Sequence, residues 1–308
     1  MSATLLIAQL LNGLQYGVML FLLAAGLTLV FGIMSFVNLA HGSMYMLGAY
    51  AAAVVGVRTD SFALGVLAAV VTGGVVGLVL EKLAVSKLYR RDHLDHVLAT
   101  FGLVLFFNEV VRMIWGPQPM FVSLPESLSG TVEFLGFTYP SYRFLIIVVG
   151  LLVAAGSQWL IHKTRVGMLI RAGSVNPQIV AALGVNIKLL NAMLFALGSA
   201  LAALAGAMAG PILSVQSGMG EPVLITTLVV IVIGGIGSVR GALYAGIIVG
   251  LVDTLGRTFL PMLIRVFADR EIANAAGPAL ASMLIYLLMA VILAWRPQGL
   301  FPAYKAKS

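Results

Sequence analysis

Within six residues, Asn38, His41, Gly42 and Ser43 place an amide, an imidazole, a helix-weakening glycine and a hydroxyl inside a greasy run. No Lys, Arg, Asp or Glu occurs from Met1 to Val57. In hydrocarbon, backbone that leaves a helix is tolerated only where protein or a water-lined cavity surrounds it. "VNLAHGS" has the composition of such a break: Gly42 weakens the helix, and Asn38 or Ser43 can cap the one that follows. A helix start aimed into a cavity offers free N–H donors and partial positive charge, which suits a carboxylate-bearing substrate. His41 has two other readings. It can be a hydrogen-bonded side chain at a helix boundary that never touches substrate, or a proton relay, since an ordinary histidine titrates near pH 6.5. The missing acidic partner weighs against the relay. Glu109, Glu221 and Asp253 are expected near the outer ends of helices, whereas a proton or sodium pump buries carboxylates at mid-depth.

The second half contains a partial echo. In "VVIVIGGIGSVRGALYAGIIVG", residues 229–250, Gly234, Gly235, Gly237 and Ser238 interrupt another apolar stretch, followed by Arg240. Paired interruptions in two halves point to a translocation pathway. The glycine spacing does not match the G-x-G-x-x-G dinucleotide fingerprint, and no βαβ pattern surrounds it.

A third constellation is polar. Residues 163–188, "KTRVGMLIRAGSVNPQIVAALGVNIK", contain a short helix with both ends marked. Asn176 is a good N-cap, Pro177 suits the first helical position, and Gly184 suits the left-handed residue that closes a helix. Ile179, Val180 and Leu183 are expected on one face. A helix this short is marginal alone in water, so it must dock, either on lipid headgroups or on a soluble partner.

No resident cofactor or metal site is expected. The chain has no cysteine, which removes disulfides and thiolate sites. It also lacks G-x-x-x-x-G-K-[ST], so any energy for uphill transport must come from elsewhere.

The elements that must position these residues follow from composition. Of 308 residues, 61% are hydrophobic and only 9% charged, against about 25% charged in soluble domains. The chain therefore reads as an all-α integral membrane protein, a single transmembrane domain over 1–308 with no separate soluble domain. A span needs about 20 apolar residues. Nine segments qualify, near 5–33, 43–57, 62–80, 96–114, 142–162, 189–211, 222–237, 242–260 and 278–295, giving about eight or nine crossings. The second and seventh are short, which places broken or re-entrant segments near 34–43 and 234–241. The start, "MSATLLIAQLLNGLQ", lacks the basic n-region of a cleavable signal peptide.

Alternate loops divide the 18 Lys and Arg into twelve on one side, including Lys82, Arg90, Arg171, Arg240, Lys305 and Lys307, and six on the other. The positive-inside rule makes the first side cytoplasmic, with the N-terminus outside and the C-terminus inside. Glycines four apart, such as Gly13/Gly17 and Gly246/Gly250, suit close helix packing in lipid.

Three blocks then carry a family resemblance: "FGIMSFVNLAHGSMYMLGAY", "RAGSVNPQIVAALGVN" and "VIVIGGIGSVRGALYAGIIVGLVDTLGR". In this order, and with a hydrophobic layout that agrees over nearly the whole chain, they resemble LivH-type permeases of bacterial branched-chain amino-acid ABC importers. The resemblance implies a bacterial inner-membrane permease that works with a second, LivM-like permease, two cytoplasmic ATPase subunits and a periplasmic substrate-binding protein. ATP hydrolysis would then occur on the partners, and transport would proceed by alternating access. Asn38, His41, Gly42, Ser43, Gly234, Gly235, Gly237 and Ser238 would belong to the pathway. Arg171, Asn176, Pro177, Ala181, Ala182 and Gly184 would serve coupling to an ATPase. Ser43 departs from the family, many members of which carry an acidic residue there, so the substrate stays open. The competing reading is a stand-alone secondary carrier or channel for small polar solutes such as urea, amides or aromatic acids.

Overall fold

A computed structural model describes residues 3–301 apart from positions 35, 37, 90, 135 and 136. Arg90, Lys305 and Lys307, which enter the charge count, lie outside the described residues. The helices are α1 (Ala3–Met34), α2 (His41–Thr59), α3 (Phe62–Leu80), α4 (Ser86–Leu88), α5 (His93–Trp115), α6 (Glu126–Ser129), α7 (Ser141–Lys163), α8 (Arg165–Val175), α9 (Pro177–Ala182), α10 (Ile187–Ala209), α11 (Gly220–Gly234), α12 (Val239–Ile264) and α13 (Arg270–Trp295). One π-helical turn, Glu81–Val85, joins α3 to α4. Its Glu81 is buried and accepts a hydrogen bond from the Tyr89 hydroxyl at 2.9 Å.

Among the described residues, seven helices are long and apolar enough to cross a bilayer. The two segments expected to be short are α2 and α11. At 15 residues, α11 rises only about 22 Å, less than a hydrocarbon core of about 30 Å. Leu67, Val71 and Val75 of α3 and Leu98, Phe101 and Leu105 of α5 are exposed, as an apolar solvent permits. The molecule is a polytopic helical membrane protein.

The core forms around α1, in which every residue from Gly17 to Val30 is buried and Thr28 is the sole polar side chain. A helix buried on all sides needs close partners, and small residues supply them. A Cβ built on Gly17 would lie 2.5 Å from the Gly246 carbonyl oxygen of α12. Only glycine allows α1 and α12 to touch backbone to backbone there.

One small sheet exists among the described residues. β1 (Thr131–Phe134) and β2 (Phe137–Pro140) pair antiparallel, Thr131 opposite Pro140, in the connection between α5 and α7. That connection defines the hairpin end of the bundle. The opposite end carries α8 and α9. Met34, the last residue of α1, packs there against Ile170 of α8 and Leu190 of α10.

Candidate functional site

The first break lies well inside the bundle. His41 is fully buried, and its Nε2 lies 3.3 Å from the Leu23 carbonyl oxygen. Leu23 precedes the end of α1 by eleven residues, about 16 Å of helix. The chain after Met34 therefore turns back into the bundle before α2 begins. Tertiary contacts hold this return. The Leu39 N–H donates to Thr100 Oγ1 of α5 at 3.2 Å, and the Phe36 ring meets the His96 ring at 4.6 Å between centroids.

The expected capping is not found. The N-cap of α2 is Ala40, with no side-chain cap, and neither Asn38 nor Ser43 serves. Asn38 lies upstream of the cap position, and Ser43 is already the third residue of the helix. Both are buried, and Asn38 Oδ1, His41 Nδ1 and Ser43 Oγ have no hydrogen-bond partner among the described residues.

The start of α2 meets the start of α11. A Cβ on Gly42 would lie 2.8 Å from the Gly220 carbonyl oxygen and 3.2 Å from the Leu224 Cβ. Gly42 and Ser43 line a recess of about 10 Å³ with Leu39, Met46, Val104, Asn108, Gly220 and Glu221. Asn108 of α5 donates to Glu221 Oε1 at 2.6 Å, and Ser217 donates to the Asn108 carbonyl at 3.1 Å. Asn38 and His41 are not among the lining residues. His41 ties the break to α1 through Leu23.

The second interruption is a turn at the far end of α11. Gly235 and Gly237 take φ of +100° and +83°, and Ser238 caps α12 by accepting from the Gly241 N–H at 3.1 Å. The turn is pinned by the Leu300 and Phe301 N–H groups, which donate to Ile233 and Gly234 at 2.8 and 3.0 Å. Gly234 follows Gly220 by fourteen residues, about 21 Å of helix. Gly42 and Ser43 therefore lie far from the second interruption, although Gly32, near the end of α1, sits against Gly237. Gly237 and Ser238 instead line a separate cavity of about 1110 Å³ at the α8 end, with Gln158, Arg171 and Arg240 among its walls.

Residues 163–188 form two helices where one was expected. Thr164 caps α8 by accepting from the Gly167 N–H at 3.0 Å. Asn176 caps α9, accepting from Gln178 and Ile179 N–H groups at 3.1 and 3.0 Å. Pro177 is its first residue, and Gly184 has φ of +87°. The expected apolar face is split: Val180 is 5% exposed, while Ile179 and Leu183 are 59% and 78% exposed. The six-residue α9 turns Val180 inward and leaves Ile179, and Leu183 just after it, without cover. Ala181 and Ala182 are exposed beside them, and Arg171 on α8 donates to the Ile161 carbonyl.

Sequence reasoning missed Gly220 and Glu221. A signal was present in "SGMGEP", residues 217–222, where glycines precede Glu and Pro at a helix start. Among the described residues, no group of three or more His, Asp or Glu could hold a metal ion.

A family model described as the branched-chain amino acid transport system permease component matches residues 9–293. The high-affinity branched-chain amino acid transport system permease protein BraD of Pseudomonas aeruginosa is 29% identical over 95% of this chain and 94% of its own length. The corresponding LivH protein of Escherichia coli is 28% identical, over 82% of this chain and 86% of its own length. The ribose import permease protein RbsC of the same organism is 25% identical over 80% of this chain and 77% of its own.

Proposed function

The chain belongs to the family of branched-chain amino acid transport system permease components, and on that premise we propose that it imports branched-chain or other amino acids as the transmembrane subunit of an ABC transporter. The match over nearly the whole chain carries this reading, and BraD and the Escherichia coli LivH protein are each more nearly identical to it, over more of its length, than the ribose permease is. The chain sits in the bacterial inner membrane with its N-terminus in the periplasm. Two cytoplasmic ATPase subunits hydrolyse ATP, a periplasmic binding protein delivers substrate, and a LivM-like second permease completes the pathway.

Coupling falls to α8 and α9. Ile179 and Leu183 are uncovered on a helix whose cap and end are locally specified, which suits a knob for a soluble ATPase. Arg171 steadies the base of that knob, and Asn176, Pro177 and Gly184 define its ends. Ala181 and Ala182 leave its surface small enough to enter a groove. Alternating access then opens the bundle toward each side in turn. Asn38 and His41 support the pathway at mid-depth, Gly42 and Ser43 face it, and Gly234, Gly235, Gly237 and Ser238 form its cytoplasmic end.

The test is leucine uptake into proteoliposomes holding the permeases, the ATPases and the binding protein. Replacing both Ala181 and Ala182 with glutamate should abolish ATP-driven uptake while the protein stays inserted. Unchanged uptake would remove the coupling assignment. Uptake by this chain alone, without ATP or partners, would replace the importer with a carrier.

A further inference from the structure

The carboxylate of Glu221 lies deeper than its place at the beginning of a helix suggests. It follows Gly220, whose backbone touches Gly42, and Gly42 follows His41, which sits on Leu23 in the interior of α1. From Glu221, α11 runs thirteen further residues to Gly234, about 20 Å. Glu221 is exposed at this depth. Among the described residues it has no cationic partner, since the two ion pairs found are Glu109–Arg112 and Asp253–Arg257. An ionised side chain facing lipid inside the hydrocarbon core is expensive, and such groups mark substrate or ion pathways. Glu221 must therefore face water or another subunit.

Its neighbours indicate the ligand. Asn108 donates to one carboxylate oxygen at 2.6 Å and leaves the other available. Ser43 Oγ, in the same recess, is buried and has no partner among the described residues. A carboxylate oxygen left unused beside a polar recess suits the ammonium end of a zwitterion. Leu39, Met46 and Val104 supply apolar walls. A recess of about 10 Å³ has room for roughly one water molecule, so it admits the ammonium head alone, and the carboxylate and side chain extend toward the subunit that closes the pathway.

We propose that Glu221, held by Asn108, receives the ammonium group of the transported amino acid. This rests on the importer reading above. It makes the face around Glu221 one half of a transient site, completed by the second permease.

The complete transporter in proteoliposomes tests it, with leucine as probe. Wild type should take up leucine, E221Q should lose at least tenfold, and E221D should fall between them. This chain has no cysteine, so with partner subunits made cysteine-free E221C can be modified alone. In the membrane it should react with a water-soluble anionic methanethiosulfonate and regain at least a third of the lost uptake. A cationic reagent of similar size should restore nothing. Leucine-loaded binding protein with ATP should slow the modification at least threefold, a protection that a purely structural carboxylate would not produce. E221Q uptake within twofold of wild type, no reaction of E221C in the membrane, or absence of protection would each overturn this inference and leave the importer reading standing. A wild-type complex that moves no zwitterionic amino acid would overturn both.

Discussion

The starts of α2 and α9 are built in opposite ways. At α2 no side chain caps the helix, and the break is held by distant groups: Thr100 binds the Leu39 N–H, and the Leu23 carbonyl faces His41. At α9 the cap and the closing glycine come from residues within the same nine positions, Asn176 to Gly184. A buried start can rely on the surrounding bundle because its neighbours are fixed. An exposed one must carry its own instructions. Substitutions should therefore act through tertiary packing at α2 and through local helix formation at α9.

Gly42→Val should have the largest effect. Its Cβ would press on the Gly220 backbone and on Leu224, and neither can move without displacing α11. Overpacking of this kind costs about 3 kcal/mol or more where backbone cannot yield. The yield of monodisperse protein in detergent should collapse, whereas Gln178→Val on exposed α9 should leave it unchanged. Normal yield for Gly42→Val would mean that the crossing of α2 and α11 is loose. His41→Ala comes next. It removes a fully buried ring and its contact with Leu23, for a loss of about 1–3 kcal/mol. The thermal midpoint should fall, and the relative uptake of leucine, isoleucine and valine should stay as in wild type. A change in that order at unchanged stability would return His41 to the substrate.

The same contrast explains what the sequence discloses. Nine apolar segments, the cap at Asn176, the first-position Pro177 and the left-handed Gly184 are all legible, because hydropathy and capping act within a few residues. The helix Arg165–Val175 is harder to see, although Thr164 announces it, because Gly167 and Gly173 weaken its eleven residues. Pairing is harder still. The two glycine-rich interruptions look equivalent in sequence, yet one begins a helix inside the bundle and the other is a turn at a bundle end. Composition marks a break without giving its depth. The short length of α11 holds the missing clue: a helix too short to cross, with one end beside Leu300 and Phe301, must have its other end inside. That places Gly220 and Glu221 opposite Gly42. Sequence alone puts Glu221 near an outer helix end because a charged first turn normally lies there.

The smallest effect tests the local half of the contrast. Asn176→Ala removes both bonds that its side-chain oxygen accepts from Gln178 and Ile179. Loss of such a cap costs about 1 kcal/mol, which matters little to a bundle but much to a six-residue helix that is marginal by itself. The thermal midpoint of the protein should therefore move by no more than a degree or two. Amide exchange across residues 178–183 should quicken about fivefold, the equilibrium equivalent of that energy. If α9 docks as a preformed knob, affinity for the ATPase subunits should drop by a similar factor, and Asn176→Asp should restore both. Faster exchange with unchanged affinity would show that the ATPase folds the helix as it binds. In that case the exposed Ile179 and Leu183, rather than the cap, would carry the coupling.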